Sequence, residues 1–256
     1  MDEISDKFLD NINRLFIEAK QKDEFEFCCT ILRIRGIEDP GWDSFIEGYN
    51  NFTKMIELIT KEKDYKRNMV LLLQTYCQIT EIDDIYNILL NLIRVRSGKR
   101  CSINPFDSSL YSTKINARYP SGKIKRIVEQ SDLLYNNDLS KTLNFLYIRE
   151  VRNAFTHSDY TIYKSNFRIT RGEGVNVNQV ITPEIPVDWL IPRINTAINF
   201  VLTIYDNVIE HIQSYNKDKV VKGRLGNNDS YVDVQLLANQ NGLRGFKIPV
   251  DKYLLS

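Results

Sequence analysis

A chain of 256 residues with 43% apolar side chains can bury a substantial core, as one elaborated domain or as one domain with appendages. The 34 Lys and Arg against 33 Asp and Glu leave a formal charge of +1, which excludes a global field drawing the protein to nucleic acid or membrane, so any nucleic-acid site must be a local basic patch. Cys28, Cys29, Cys77 and Cys101 form no CxxC pair, and with two histidines no zinc site of recognisable spacing can be assembled; they read as reduced thiols, mostly buried, and neither a metal nor a cofactor is expected.

The first residues, Met1-Asp-Glu-Ile-Ser-Asp-Lys7, lack the basic-then-apolar order of a signal peptide, and no apolar run approaches the ~18 residues of a spanning helix. A cytoplasmic protein without a membrane partner is expected. Phe8, Leu9, Ile12, Leu15, Phe16 and Ala19 then recur at helical spacing, with Ser5 as a possible cap. A second helix is predicted from Asp23 to Arg35, stopped by Gly36, and Glu38-Asp-Pro-Gly41 reads as a turn. A third starts near Trp42 or Ser44 and ends in the charged run Lys61–Arg67.

From Asn68 to Arg96 the apolar pattern predicts one long helix, closed by Ser97-Gly98. Along it Thr80, Asp84, Asn87 and Asn91 make a narrow polar stripe. Such a stripe either faces water or lines a polar cleft, with Glu81 and Asp83 nearby, facing Arg152 and His157. Residues 99–121 have no clear period and form a long connection. Its Lys99, Arg100, Lys114 and Arg118 alternate with Tyr111 and Tyr119 and continue into Lys123, Lys125 and Arg126 on the next helix, Ser121–Leu134. This is either a solvated loop or a basic-aromatic patch for RNA phosphates and bases.

Tyr135-Asn-Asn-Asp138 breaks that helix, and Asp138 or Ser140 caps the one that follows. In it Leu143, Leu146, Tyr147, Val151, Ala154 and Phe155 mark the buried face, with Arg152 and Asn153 beside it and His157 in the last turn or just past it. Arg152 and His157 are then separated by about 7.5 Å of rise and about 140° of azimuth, close enough to converge on one anion if the helix ends at the histidine. Tyr160–Tyr163 and Phe167–Thr170 read as strands, followed by an extended piece from Val175 to Ile181. Pro186 opens a last long helix from Val187 to Tyr215, and Lys219–Arg224, a Gly226–Asp229 turn, Tyr231–Leu237 and a turn at Asn239–Gly242 make a small β tail.

The string Ile148-Arg-Glu-Val-Arg-Asn-Ala-Phe-Thr-His-Ser-Asp-Tyr160 resembles the Arg-polar-x3-His motif of the HEPN superfamily (higher eukaryotes and prokaryotes nucleotide-binding), in the form carried by uncharacterised bacterial members. The resemblance covers the motif and its flanks. It implies a mainly α fold, a HEPN-like helical bundle over 63–216 with a β-hairpin insertion about 160–182, beside an N-terminal helical extension, 1–62, and a C-terminal β appendage, 217–256. It further implies a metal-independent endoribonuclease, often in toxin, antiphage or RNA-processing systems, with RNA as partner, a homodimer that brings two motifs together, and a possible regulatory or antitoxin protein. On this reading His157 is the general acid/base, Arg152 clamps the developing negative charge and Asn153 orients phosphate or imidazole. RNA contacts would come from Lys99, Arg100, Lys114, Arg118, Lys123 and Arg126, and a polar cleft from Glu81, Asp84, Asn87 and Asn91.

Two other classes stay open: a noncatalytic HEPN module binding nucleotide, RNA or protein, and a helical interaction protein in which the motif is incidental. For the isolated residues a structural role is simple. His157 can complement a helix C-terminus, and Arg152 can pair with Glu150 or Asp159. His211, without a companion motif, reads as structural or exposed.

Overall fold

The computed structural model describes residues 3–33, 43–134, 137–224 and 230–248. Helix α1 (Glu3–Lys22) buries Ile12, Leu15, Phe16 and Ala19, the apolar stripe of the sequence. The Asp23 carboxylate caps α2 (Glu24–Ile31) by accepting the Glu26 N–H at 3.1 Å. Gly36, the Glu38–Gly41 turn and the end of the predicted second helix lie outside the described residues. Helix α3 (Ser44–Lys61) follows.

Two helices drawn from the sequence as continuous are interrupted. The predicted Asn68–Arg96 helix is α4 (Tyr65–Ile79) followed by α5 (Asp83–Arg96). Thr80 caps α4, its hydroxyl donating back to Cys77 O at 2.9 Å, and the Glu81 and Ile82 N–H groups close onto Gln78 O and Ile79 O in tighter, three-residue steps. Asp83 and Asp84 then favour a fresh N-terminus. The motif helix is likewise α7 (Asn137–Leu146) followed by α8 (Arg149–Thr156). Into that junction reaches the buried Tyr76 hydroxyl, donating to Leu146 O at 3.0 Å and accepting the Ile148 N–H at 2.7 Å. One phenol thus satisfies the two backbone groups that the break exposes.

Between α5 and α6 (Pro120–Asp132) the long connection holds one 3-10 turn, Ser108–Leu110, and Pro120 occupies the first helical position. After α8, β1 (Tyr160–Tyr163) and β2 (Asn166–Ile169) pair antiparallel across Lys164-Ser165, and β5 (Glu184–Pro186) adds to β2, giving the order β1-β2-β5. The extended piece predicted from Val175 to Ile181 is instead a hairpin. Strands β3 (Val175–Val177) and β4 (Val180–Thr182) flank Asn178 and Gln179, both at positive φ (51° and 71°), as a two-residue hairpin of primed type requires. Helix α9 (Val187–Gln213) carries Pro192 inside it. The tail forms an antiparallel sheet of β6 (Lys219–Arg224), β7 (Tyr231–Asn239) and β8 (Gly242–Lys247), with the β7–β8 turn released by Gly242 at φ +107°. Tyr135, Asn136 and the Gly226–Asp229 turn lie outside the described residues.

The protein is therefore mainly helical with small antiparallel sheets and a C-terminal three-stranded sheet. Two compact units interleave along the sequence. One takes the described residues of Met1–Leu9, Phe45–Asp83 and Ile115–Leu202; the other takes those of Asp10–Ser44, Asp84–Lys114 and Thr203–Ser256. The first unit centres on buried residues of α4, α7, α8 and β2, among them Leu73, Tyr76, Leu143, Val151 and Phe167. The second centres on Phe16, Phe27, Leu89, Val208 and Leu236. No helix among the described residues is long and apolar enough to cross a membrane.

Candidate active site

Helix α8 lies in the first unit and is anchored by Val151 and Ala154, both buried. Its end has the full double closure of a Schellman motif. The Asp159 N–H donates to Ala154 O at 2.8 Å and the Ser158 N–H to Phe155 O at 3.1 Å, with Ser158 in the left-handed region at φ +58°. A serine at a position that favours glycine costs on the order of 1 kcal/mol. His157 is the cap itself, its N–H held by Asn153 O at 3.0 Å. Its backbone is pinned while its imidazole is exposed, and among the described residues no hydrogen bond or ion pair engages the ring.

Arg152 is more constrained. One Nη donates to Asn153 Oδ1 at 2.8 Å and the other meets the Glu81 carboxylate in an ion pair. Its Nε is buried with no hydrogen-bond partner. The partner is Glu81, on the turn between α4 and α5, and not Glu150 or Asp159; Asp159 lies 3.6 Å from Arg171. The break at Thr80–Ile82 is what turns Glu81 to this place. A guanidinium offers five donors, so two engaged hydrogens and a buried Nε leave one further hydrogen on each Nη.

The backbone beneath Arg152 is fastened from two sides. Its carbonyl accepts the Thr156 hydroxyl at 2.8 Å and the Cys77 thiol at 3.8 Å, which ties α8 to α4. Burial pushes the Cys77 thiol up to about 11, so at neutral pH it is a protonated packing group rather than a nucleophile. Burial also raises the Tyr147 phenol, against the opposing pull of Arg152. Cys77, Tyr76 and the Tyr147 junction went unread as site elements because nothing local to their sequence marks them.

The other expected residues have identifiable duties. Asp84 belongs to the second unit, 3.8 Å from Arg33. Asn91, buried there, grips the Ser102 N–H and C=O at 2.9 Å each and so pins the start of the long connection. Asn87 is half-buried. Because Thr80 ends α4, the four-residue stripe does not run along one continuous helix.

Of the basic residues, Lys99, Arg100 and Lys114 belong to the second unit and Arg118, Lys123 and Arg126 to the first. Arg100 is spent on the buried Glu26 carboxylate at 3.0 Å and on Arg224 O at 2.8 Å. Arg126 is fully buried beside Glu129, and Lys123 is buried against Asp83. These three hold structure together, which the sequence could not separate from a phosphate-binding surface. Lys99, Lys114 and Arg118 are exposed, Arg118 at 5.8 Å from the Tyr119 ring.

Among the described residues no group of His, Cys, Asp and Glu is arranged to hold a metal ion. Comparison with protein-family models, curated proteins and solved structures gives no match for this chain. The functional reading therefore stands on the residues around Arg152 and His157.

Proposed function

We propose that the protein is a metal-independent endoribonuclease of HEPN type, acting in the cytoplasm, with RNA as substrate. The observation that carries the reading is the pairing, on one eight-residue helix, of a guanidinium held by Glu81 and Asn153 with a histidine whose backbone is pinned and whose ring is open. In the reaction His157 takes the proton of a ribose 2′-OH, the freed oxygen attacks the adjacent phosphorus, and the 5′-oxygen leaves with a proton. Arg152 stabilises the charge that grows on the phosphorane oxygens, and Asn153 keeps the guanidinium in plane. The products are a 2′,3′-cyclic phosphate and a 5′-hydroxyl end.

One histidine can serve as base or as acid, and the two roles act on opposite sides of the phosphorus. A second copy of the chain would bring a second His157 for the leaving group, which is the reason to propose a homodimer with a composite cleft. The resemblance to HEPN proteins points to a toxin or antiphage setting, in which a regulatory protein would restrain such an enzyme.

A second reading has its own support. The Arg152–Glu81 ion pair neutralises the anion-binding group in the free protein, as suits a noncatalytic module whose ligand must displace Glu81. RNA cleavage in EDTA decides between the two. Wild type should cut, and His157→Ala and Arg152→Ala should lose about 10²- to 10⁴-fold in rate. Equal cleavage by all three, or none by wild type, removes the enzyme reading for the RNAs tried.

A further inference from the structure

In the first unit a groove of about 650 Å³ runs along β1, lined by Lys66, Tyr160, Tyr163, Arg168 and Glu184 among others. In the order β1-β2-β5, strand β1 is an edge, so one side of its backbone carries donors and acceptors without a strand partner among the described residues. Tyr163 presents its ring at 69% exposure, and the Lys164 ammonium sits 5.3 Å from that ring. Among the described residues Lys66 and Lys164 have no carboxylate partner, while Arg168 shares Glu184 at 3.7 Å. Two cations, Lys66 and Arg168, and the Glu184 carboxylate line the groove, and Lys164 adds a third cation at the Tyr163 ring.

Tyr160, which lines the groove, is linked to the candidate active site by chain and by packing. Tyr160 stacks on Phe155 of α8 at 4.9 Å and on Phe167 of β2 at 5.3 Å. It follows His157 by three residues, so its Cα lies within roughly 11 Å of that of the histidine. The groove therefore begins within that distance of His157.

We infer that the groove binds a single-stranded RNA segment flanking the bond to be cut, with a base stacked on Tyr163 and phosphates drawn to Lys66, Lys164 and Arg168. This rests on the nuclease reading and adds the substrate class to it. Stacking on an exposed phenol needs a base face that is free, which a single strand supplies and a duplex withholds. Main-chain groups on the open edge of β1 then meet the base edges.

The test is fluorescence anisotropy in EDTA, using full-length protein carrying His157→Ala and a short fluorescein-labelled RNA, alone or annealed to its complement. Tyr163→Ala should weaken single-strand binding about tenfold, while Tyr163→Phe, which keeps the ring, should stay within about twofold. Lys66→Glu should weaken it about fivefold and flatten its salt dependence. The inference is overturned if the His157→Ala protein does not bind the single strand, if Tyr163→Ala and Lys66→Glu bind as tightly as it does, or if the duplex binds better. The two proposals fail separately. Wild-type cleavage left unchanged in kcat/KM by Tyr163→Ala removes the groove and keeps the nuclease; Tyr163-dependent binding without cleavage by wild type keeps the groove and removes the catalysis.

Discussion

His157 and His211 stand in opposite surroundings, each within its own unit. His157 caps an eight-residue helix, its backbone locked by the Schellman closure and its ring open to solvent. His211 lies near the end of α9 with its ring stacked on Phe16 at 5.6 Å and set edge-on against Phe27 at 5.1 Å. Burial lowers its pKa, and Lys20 lowers it further. One imidazole is free to exchange protons with a ligand; the other is used as an aromatic plate. The same side chain serves chemistry or packing according to what touches its ring.

The largest effect that could break this contrast is a double dissociation. His157→Ala should reduce RNA cleavage about 10²- to 10⁴-fold while leaving the urea midpoint nearly unchanged, because the residue is exposed and among the described residues no hydrogen bond or ion pair engages its ring. His211→Ala should leave cleavage per folded molecule intact and cost about 1–3 kcal/mol of stability through its two ring contacts. Parallel kinetics and chemical denaturation check both. If His211→Ala removed activity without unfolding the protein, the assignment of roles would be reversed.

Next in size is the junction behind the site. Tyr76→Phe keeps the ring and removes the hydroxyl, which orphans Leu146 O and the Ile148 N–H in a buried place. The cost should be about 2–4 kcal/mol, read as a shift in denaturation midpoint, with hydrogen exchange rising at Ile148. Cleavage should fall too, since α8 loses the fixed starting point from which Arg152 and His157 are aimed.

That junction also marks where the sequence stops being legible. The apolar periods of α1, α3, α6 and α9 and the strands around Lys164 are local signals, and each element forms where its pattern lies. The two interruptions are different. Ile79-Thr-Glu-Ile-Asp-Asp84 carries cap residues for both a stop and a start, yet the apolar period passes through it and argues for continuity. The Tyr147–Ile148 break has no local signal, because a tyrosine 70 residues away from Leu146 creates it. The helix end that carries Arg152 and His157 was legible from its apolar period, while Glu81 meets Arg152 from the turn of the first interruption. Lys123 and Arg126 misled for the complementary reason: a charge pattern states where cations are, and only packing states which are buried against Asp83 and Glu129.

A smaller effect separates the histidines by pH. The lowered pKa of His211 means that the folded state prefers the neutral ring. Its contribution is therefore complete above the unfolded value of 6.5 and is lost as pH falls through that value toward the lower folded one. Urea midpoints measured from pH 7.5 down to 5 should decline, and His211→Phe, which keeps a stacking ring without a titrating group, should flatten the part of that decline due to this site. A wild-type profile identical to that of His211→Phe would show that His211 is not held neutral by its aromatic neighbours.

The smallest effect concerns the turn that follows the exposed histidine. Ser158 holds a left-handed conformation at φ +58° that glycine adopts without the clash of a Cβ. Ser158→Gly should relieve that strain and stabilise the protein by up to about 0.5 kcal/mol after the greater freedom of glycine in the unfolded chain is counted. The two Schellman hydrogen bonds do not involve the serine side chain, so His157 keeps its place and cleavage should be unchanged. A stabilised variant with reduced cleavage would mean that the serine hydroxyl or the strain itself contributes to the reaction, and would extend the active site one residue beyond the histidine.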